Sequence, residues 1–326
     1  MLLDASWLAL GLLLLLTGGE LLVRASASLA GTLGVSPLMI GLTVVAFGTS
    51  APELAVTAVA ALEGRGGIAF GNVVGSNLAN VGLVIGGLAL LRPIQIRGAL
   101  VAREIPMMLL ATAAAIVLAS DAALDAAPDL LSRGDGLALL LFFGVFLYYT
   151  IGDLARQRAR ARASGVDVAL PAAPFGVAAS TLLLVVGLAL LLIGAERTVF
   201  AATRLARALG ASDGLIGLTL VAIGTSLPEL AASGIAIARR QSEIALGNLI
   251  GSNIFNLLFV LGVSTILRPI AVPAAGRIDL YFAGALSLLL LAVALTASRR
   301  ITRFEGALLL GAYLGYLGWR TLGVAS

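Results

Sequence analysis

Long apolar segments separated by short polar breaks run through the whole chain. Each segment holds about 20 residues, the length that an α-helix needs to cross the hydrocarbon core of a bilayer. We therefore predict an all-α membrane protein with ten transmembrane helices. The predicted spans are 6–23, 36–62, 68–91, 98–119, 136–154, 175–196, 213–238, 244–267, 278–297 and 302–322.

Two of the predicted spans are interrupted by proline. Pro52 lies within the second span and Pro228 within the seventh. Because proline has no backbone N–H to donate, it leaves a carbonyl of the preceding turn without a partner and bends the helix. We expect both spans to be bent, and the bend can turn neighbouring carbonyls, such as those of Ala46 and Ala222, towards a cavity.

The composition agrees with this pattern and excludes several classes of protein. Hydrophobic residues make up 60% of the chain and charged residues only 12%, about half of the roughly 25% found in soluble domains. A soluble enzyme, a disordered protein and a nucleic-acid binder are therefore excluded. The absence of cysteine and histidine also excludes disulfides, a histidine-based zinc site and a Ser-His-Asp triad.

Charge around the spans predicts the orientation of the chain. The segment before the first span carries Asp4 and no basic residue, and Arg24 follows the span, which is the reverse of a cleavable signal peptide. Since arginine favours the cytoplasmic side, we expect both termini outside, in the inner (plasma) membrane of a prokaryote. The loops then predicted to lie inside hold Arg24, Arg92, Arg97, Arg103, Arg156, Arg158, Arg160, Arg162, Arg239, Arg240, Arg299, Arg300 and Arg303.

An internal repeat is the strongest signal in the sequence. The segment GLTVVAFGTSAPELAV, beginning at Gly41, returns as GLTLVAIGTSLPELAA at Gly217. The segment GNVVGSNLAN, beginning at Gly71, returns as GNLIGSNIFN at Gly247. Both blocks have the same offset of 176 residues (217 − 41 and 247 − 71). Polar residues inside apolar spans are kept in both copies, which a requirement for packing alone would not explain.

The repeat divides the chain into two halves of five predicted spans each. With an odd number of spans, the second half enters the membrane in the opposite sense, so residues 1–154 and 175–326 are predicted to be inverted-topology repeats. Such repeats are typical of secondary transporters, whose binding site lies near the membrane midplane. Residues 155–174 form a basic linker, interpreted as a solvated cytoplasmic connector or as a docking strip for anionic lipid headgroups.

The repeated blocks place polar side chains in stripes at helical spacing. One stripe occupies positions i, i+3, i+4 and i+7 of the bent spans, and another occupies positions i, i+4 and i+8 of the spans that follow them. Four helices can therefore point polar stripes at one shared centre. The first stripe is Ala46, Thr49, Ser50 and Glu53, repeated as Ala222, Thr225, Ser226 and Glu229; the second is Asn72, Ser76 and Asn80, repeated as Asn248, Ser252 and Asn256.

Glu53 and Glu229 are the residues of the stripes that need a chemical explanation. An acidic side chain at the centre of a membrane helix costs about 2.5–3.5 kcal/mol, and no arginine lies near either one along its span. Either the carboxyl groups are protonated or they bind a cation between them. Two carboxylates surrounded by hydroxyl, amide and carbonyl oxygens suit Ca²⁺ or Na⁺ and argue against Zn²⁺ or Cu⁺.

Residues around the stripes carry structural predictions. The glycines of the repeated blocks, including Gly71 and Gly75, are expected to allow close helix approach, which would bring Ser76 and Asn80 within reach of Glu53. Four further polar residues are predicted to have structural roles: Asn77 and Asn253, off the main stripe, in helix contacts, and Glu20 and Glu196, near span ends, in pairs with arginine.

At these motifs the sequence resembles the cation/calcium exchanger superfamily, which includes sodium/calcium exchangers. G-T-S-x-P-E followed by G-N-x-x-G-S-N-x-x-N, present twice, carries the resemblance. It implies an antiporter that exchanges Ca²⁺ for Na⁺ or H⁺ by alternating access. Some relatives carry aspartate where this chain has Asn256. The cation ligands implied by the resemblance are Glu53, Glu229, Thr49, Ser50, Ala46, Thr225, Ser226, Ala222, Ser76, Asn80, Ser252 and Asn256.

Three other functions remain open from the sequence. An intramembrane lipid phosphatase would need basic residues beside the carboxylates, and a proton-coupled carrier of an organic solute would need aromatic residues or arginine at its site. A passive cation channel is the third. We expect no enzyme activity and no cofactor. The expected partners are the lipid bilayer and the transported Ca²⁺, Na⁺ or H⁺, with no nucleic acid and no obligatory protein partner.

Overall fold

The computed structural model describes residues 2–98, 100–121, 128–164, 174–209, 224–296 and 299–323. The described chain is almost entirely helical. Its helices are α1 (Leu2–Leu33), α2 (Pro37–Thr49), α3 (Ala51–Leu62), α4 (Gly66–Leu91), α5 (Leu100–Leu118), α6 (Arg133–Ser164), α7 (Val177–Ala208), α8 (Leu227–Ala238), α9 (Ser242–Leu267), α10 (Gly276–Ala294) and α11 (Arg303–Gly323).

The helices agree with the predicted spans over most of the described chain. Seven of them, α1, α4, α5, α6, α7, α9 and α10, are long and apolar enough to cross a membrane, and α2 with α3 would make an eighth span. The chain is therefore a multi-pass integral membrane protein. Helix α11 coincides with the tenth predicted span without being one of those seven. Helix α8 covers the second part of the seventh span, and residues 213–223 of that span lie outside the described chain. The count of ten stays a prediction.

The second predicted span is bent, as the proline in it predicts. Helices α2 and α3 meet at an angle of 43°, and Ser50 between them has φ −84° and ψ 6°. The carbonyl of Ala46 nevertheless accepts a helical hydrogen bond from the Ser50 N–H at 3.0 Å. It keeps this bond because the N–H that Pro52 lacks would have served the carbonyl of Gly48, two residues further along the chain. The Thr49 hydroxyl also lies 3.4 Å from the Ala46 oxygen, so a cation at this carbonyl would take the place of that hydroxyl contact. Ala222 lies outside the described residues.

Wide π-helical turns interrupt helices α4 and α9 at matching positions. The turn in α4 covers Ala79–Ile85 and the turn in α9 covers Asn256–Val260. Asn80 and Asn256, two of the candidate ligands, therefore lie at the beginning of the two π-turns. Such turns occur frequently at functional sites, where they change the direction of side chains and backbone groups.

The described residues within Met1–Pro52 and Tyr149–Asn248 form one compact unit. Its main feature is the contact of α1 with α7, which pack closely through glycine. Gly11 lies against Gly194 and Gly18 lies against Gly187, so the two helices run antiparallel. A methyl group added at Gly18 would lie 2.7 Å from the Gly187 carbonyl oxygen. Backbones this close leave no room for a side chain in the contact.

This contact predicts opposite effects of the same substitution at two glycines. In Gly187→Ala the new methyl group would lie 2.7 Å from the Leu22 nitrogen and 2.8 Å from the Gly18 oxygen, so we expect a loss of about 1–3 kcal/mol of stability. In the control Gly144→Ala the methyl group would meet no described atom within 4 Å, and alanine should favour the helix by about 1 kcal/mol. Melting temperatures of the purified proteins in one detergent test this; equal shifts would contradict it.

The described residues within Glu53–Tyr148 and Leu249–Ser326 form the second compact unit. Helix α4 packs against α11, and α5 packs against α10. The unit also contains two short antiparallel strand pairs, which the all-α prediction did not include. Strand β1 (Ile94–Gln95) pairs with β4 (Arg300–Ile301), and β2 (Leu130–Leu131) pairs with β3 (Ile270–Ala271). Each strand belongs to a connection between helices, where the backbone groups need partners that no helix supplies.

The predicted linker is partly helical. Helix α6 continues to Ser164, so the first part of the segment 155–174 extends the preceding span. Alanine and arginine, which dominate there, are strong helix formers, and this propensity outweighs the polar character that suggested a connector. Residues 165–173 lie outside the described chain. Each compact unit takes residues from both predicted halves, so the halves remain a prediction from the sequence repeat.

Candidate cation-binding site

The predicted ligands of the described chain are buried, apart from Thr225, which is half-buried. Glu53 and Glu229 have no exposed surface. Burial of this kind favours a carboxyl group that is protonated or compensated by a positive charge. The other buried ligands are Ala46, Thr49, Ser50, Ser76, Asn80, Ser226, Ser252 and Asn256.

Both carboxylates lie in the first turn of a helix. Glu53 is the third residue of α3 and Glu229 is the third residue of α8. The unpaired N–H groups at a helix N-terminus carry partial positive charge and stabilise a nearby anion by about 0.3–1 kcal/mol, or up to ~2 kcal/mol when partly buried. The break at Ser50 therefore divides the predicted stripe from Ala46 to Glu53 between two helices.

The first unit holds Glu229 together with residues from the end of α2. The Ser50 hydroxyl donates to Glu229 Oε1 at 3.2 Å. The Thr49 hydroxyl donates to Asn248 Oδ1 at 3.0 Å, and the Asn248 amide donates to the Ser233 hydroxyl oxygen at 3.1 Å. Hydroxyl and amide groups from α2, α8 and α9 thus form one polar cluster around the Glu229 carboxylate.

The second unit holds Glu53 in a similar cluster. The Ser76 hydroxyl donates to Glu53 Oε1 at 3.3 Å, so the predicted contact between these two residues is confirmed. The Asn72 amide donates to the Thr57 hydroxyl oxygen at 2.9 Å. This bond has the same offset of 176 residues from Asn248–Ser233 in the first unit (233 − 57 and 248 − 72).

The reason given for the Glu53–Ser76 contact, close helix approach at Gly71 and Gly75, stays a prediction. A methyl group at either glycine would meet no described atom within 4 Å, and Gly217, the repeat counterpart of Gly41, lies outside the described residues. Two other glycines of the repeated blocks do make the predicted close contact, between α2 and α9: a methyl group at Gly41 would lie 2.6 Å from the Ile244 oxygen, and one at Gly247 would lie 2.6 Å from the Leu38 oxygen.

Four asparagines form a reciprocal hydrogen-bond network in the second unit. Asn77 and Asn253 each donate to the other's backbone oxygen, at 3.1 and 3.4 Å. Asn80 Nδ2 donates to Asn253 Oδ1 at 3.0 Å, and Asn256 Nδ2 donates to Asn77 Oδ1 at 3.2 Å. The prediction that Asn77 and Asn253 hold helix contacts is confirmed.

Three side-chain oxygen atoms of the neutral predicted ligands are buried without a hydrogen-bond partner among the described residues. They belong to the amides of Asn80 and Asn256 and to the Ser226 hydroxyl. A buried polar atom without a partner costs about 1–3 kcal/mol. In either unit a cation with oxygen coordination would supply the missing interaction, and hydroxyl and amide oxygens are donors that fit Ca²⁺ or Na⁺.

Several other acidic residues of the described chain are paired with arginine. Glu20 bonds Arg24 at 2.5 Å and also Arg239, which confirms its predicted structural role; the role of Glu196 stays a prediction. The sequence analysis missed Glu104, a buried carboxylate paired with its neighbour Arg103. It also missed Thr57 and Ser233, although their offset of 176 residues was a readable signal.

Comparison with known proteins places these motifs in a family. The family described as "Sodium/calcium exchanger protein" matches residues 4–152 and 179–322. The chain is 44% identical over 320 residues to "Putative antiporter CaxA" of Alkalimonas amylolytica, covering 97% of this chain and 98% of that protein. It is 34% identical over 340 residues to "Sodium/calcium exchanger MaX1" of Methanosarcina acetivorans, with 95% and 96% covered.

A solved structure is similar over nearly the full length. The sodium-calcium exchanger NCX_Mj, soaked with 2.5 mM Na⁺ and 0.1 mM Ca²⁺, aligns with a TM-score of 0.82 and 34% identity, covering 98% of both chains. Similarity at this level extends through both matched segments and includes all the described helices that carry the polar clusters.

Proposed function

Because the chain belongs to the sodium/calcium exchanger protein family, we propose that it is a secondary antiporter that exchanges Ca²⁺ for Na⁺ across the membrane by alternating access. The observation that carries the proposal is the duplicated buried carboxylate. Glu53 and Glu229 each lie in the first turn of a helix, and each accepts a hydrogen bond from a serine hydroxyl. Each span therefore holds one buried carboxylate that can bind a cation.

We propose that these carboxylates provide the charge for one Ca²⁺ and that neutral oxygens complete its coordination. Two carboxylates carry −2, which one Ca²⁺ neutralises, and Ca²⁺ accepts six to eight oxygen ligands in flexible geometry. The unpartnered amide oxygens of Asn80 and Asn256 support this role. The neutral ligands that we assign are Ala46, Thr49, Ser50, Ser76, Asn80, Ala222, Thr225, Ser226, Ser252 and Asn256.

Within the first unit, helix contacts support the inverted-repeat arrangement. Gly11 and Gly187 are related by the repeat offset, and so are Gly18 and Gly194 (187 − 11 and 194 − 18 are both 176). Exchanging the two halves therefore converts the contact Gly11–Gly194 into Gly187–Gly18, and both contacts exist. Antiparallel helices related in this way have opposite directions in a membrane, as an inverted repeat requires. We propose both termini on the outer side.

Exchange follows from competition for the same carboxylates. Ca²⁺ occupies the site in one loaded state, and Na⁺ ions occupy it in the other, so the two cargoes cannot cross together. Without a cation, two carboxylates would remain in a low-dielectric environment, which opposes the movement between inward-facing and outward-facing states. Coupling therefore needs no contact between the two cargoes.

The experiment that tests the function compares two driving gradients. Purified protein in liposomes is loaded with Na⁺ and diluted into Na⁺-free medium that contains radiolabelled Ca²⁺. We expect Ca²⁺ uptake at least tenfold above that of empty liposomes. A pH gradient of equal size without Na⁺ is the comparison. Uptake driven by the pH gradient alone would replace Na⁺ by H⁺ as the coupling ion, and no uptake with either gradient would contradict Ca²⁺ exchange.

A further inference from the structure

We propose that Asn77 and Asn253 are positioning residues, which hold the side-chain oxygens of Asn80 and Asn256 towards the transported cation. The inference rests on the proposed function, because it assigns the two amide oxygens to that site. It goes beyond the proposed ligand set, since Asn77 and Asn253 belong to the repeated motif but lie off the main polar stripe and are not proposed ligands themselves.

The direction of each amide determines whether it attracts or repels a cation. An asparagine side chain ends in an oxygen that accepts hydrogen bonds and in an NH₂ group that donates them. Rotated by half a turn, the same side chain would present positive hydrogens to Ca²⁺. A site built on asparagine therefore needs a device that fixes the direction of the amide.

The backbone carbonyl of Asn77 fixes the direction of the Asn253 amide, and the Asn253 amide in turn fixes the direction of the Asn80 amide. Asn253 Nδ2 donates to the backbone oxygen of Asn77 at 3.4 Å, which leaves Asn253 Oδ1 as an acceptor only. Asn80 must therefore turn its Nδ2 towards Asn253, which it does at 3.0 Å. The Asn80 oxygen then points away from Asn253, and it has no hydrogen-bond partner among the described residues.

The same sequence of contacts occurs from the other side. Asn77 Nδ2 donates to the backbone oxygen of Asn253 at 3.1 Å, so Asn77 Oδ1 is an acceptor and takes the bond from Asn256 Nδ2 at 3.2 Å. The Asn256 oxygen is left without a partner in the described chain. All four side chains are at most 4% exposed, so water cannot easily replace any of these bonds.

A double-mutant cycle separates positioning from ordinary packing. In Asn77→Ala, the Asn256 amide loses the acceptor that orients it, and we expect the Kd for Ca²⁺ to rise about tenfold. In the Asn256→Asp background, residue 256 has an oxygen at both ends and needs no orientation. The aspartate has no N–H for the Asn77 oxygen to accept, so there we expect Asn77→Ala to lower the Kd or to raise it less than twofold relative to Asn256→Asp alone. Radiolabelled Ca²⁺ binding to purified protein in detergent measures all four proteins.

The mirrored cycle provides an independent second measurement. Asn253→Ala is expected to weaken Ca²⁺ binding about tenfold in the parent protein and less than twofold in the Asn80→Asp background. This pair decides the question if Asn77→Ala does not fold, as judged by size-exclusion profile and melting temperature. Equal losses in the asparagine and aspartate backgrounds would overturn the inference, because a purely structural contact does not depend on the chemistry of the oriented residue.

Failure of the proposed function gives a different result. A parent protein that binds no Ca²⁺ would contradict the cation site as a whole. A parent protein that binds Ca²⁺, with cycles that show no dependence on the background, would contradict only the positioning role of Asn77 and Asn253.

Discussion

Ca²⁺ uptake by Glu53→Gln and by Glu229→Gln is expected to fall to the level of empty liposomes. Glutamine has nearly the same shape as glutamate and can still accept the serine hydroxyl bond at 3.2 or 3.3 Å, so the change removes charge with little change in packing. A unit charge pair at 4 Å contributes about 4 kcal/mol at an effective dielectric constant of ~20. A loss of this size lowers cation affinity roughly a thousandfold.

The matched control is Glu63→Gln. Glu63 lies just beyond the end of α3, is about half exposed and pairs with Arg65 at 3.3 Å. Exposed pairs of this kind contribute about 0–1 kcal/mol, so uptake should stay within twofold of the parent protein. Radiolabelled Ca²⁺ uptake is compared at equal amounts of reconstituted, monodisperse protein. Uptake by either site variant at the level of Glu63→Gln would contradict the assignment of the carboxylates.

The location of the polar clusters could be predicted because both copies of the repeat carry the same polar residues inside an apolar span. Glu53 and Glu229 occur in equivalent positions of two apolar spans, and an acid there needs a specific reason. Pro52 also predicts the bend of 43° between α2 and α3. What the stripe pattern does not reveal is that the bend puts the carboxylate into the first turn of a new helix. That position depends on where the first helix ends, which a periodic pattern cannot define.

The partners of individual side chains could not be predicted, because they depend on the distances between helices. Gly41 and Gly247 make a close helix contact, whereas a methyl group at Gly71 or Gly75 would meet no atom of the described residues within 4 Å, although all four glycines belong to the repeated blocks. Asn80 was expected near Glu53, and its amide instead bonds Asn253. The helical extension to Ser164 follows local propensity, which the polar composition of the segment concealed. Local rules therefore predict elements and burial better than they predict contacts.

Ca²⁺ efflux is expected to need an exchangeable cation on the other side. Liposomes loaded with radiolabelled Ca²⁺ should retain it in a medium that contains only a large organic cation. Addition of Na⁺, or of unlabelled Ca²⁺, should raise the rate of efflux at least a hundredfold. An unloaded transporter would have to carry two buried carboxylates through the transition without a cation, and the desolvation of each buried charge costs several kcal/mol. Each 1.4 kcal/mol of this barrier lowers the rate about tenfold.

The requirement for a counter-cation separates an antiporter from a passive channel. In a channel, efflux continues in the organic-cation medium and depends on the membrane potential, which valinomycin with a K⁺ gradient can set. In an antiporter, unlabelled Ca²⁺ outside accelerates the loss of labelled Ca²⁺ although it reduces the net gradient. External Ca²⁺ accelerates efflux only if the binding site moves back to the inside faster with Ca²⁺ bound than when it is empty. Such a difference requires that occupancy of the carboxylates controls the movement. Efflux at one rate in all three media would contradict the coupling mechanism while leaving Ca²⁺ selectivity intact.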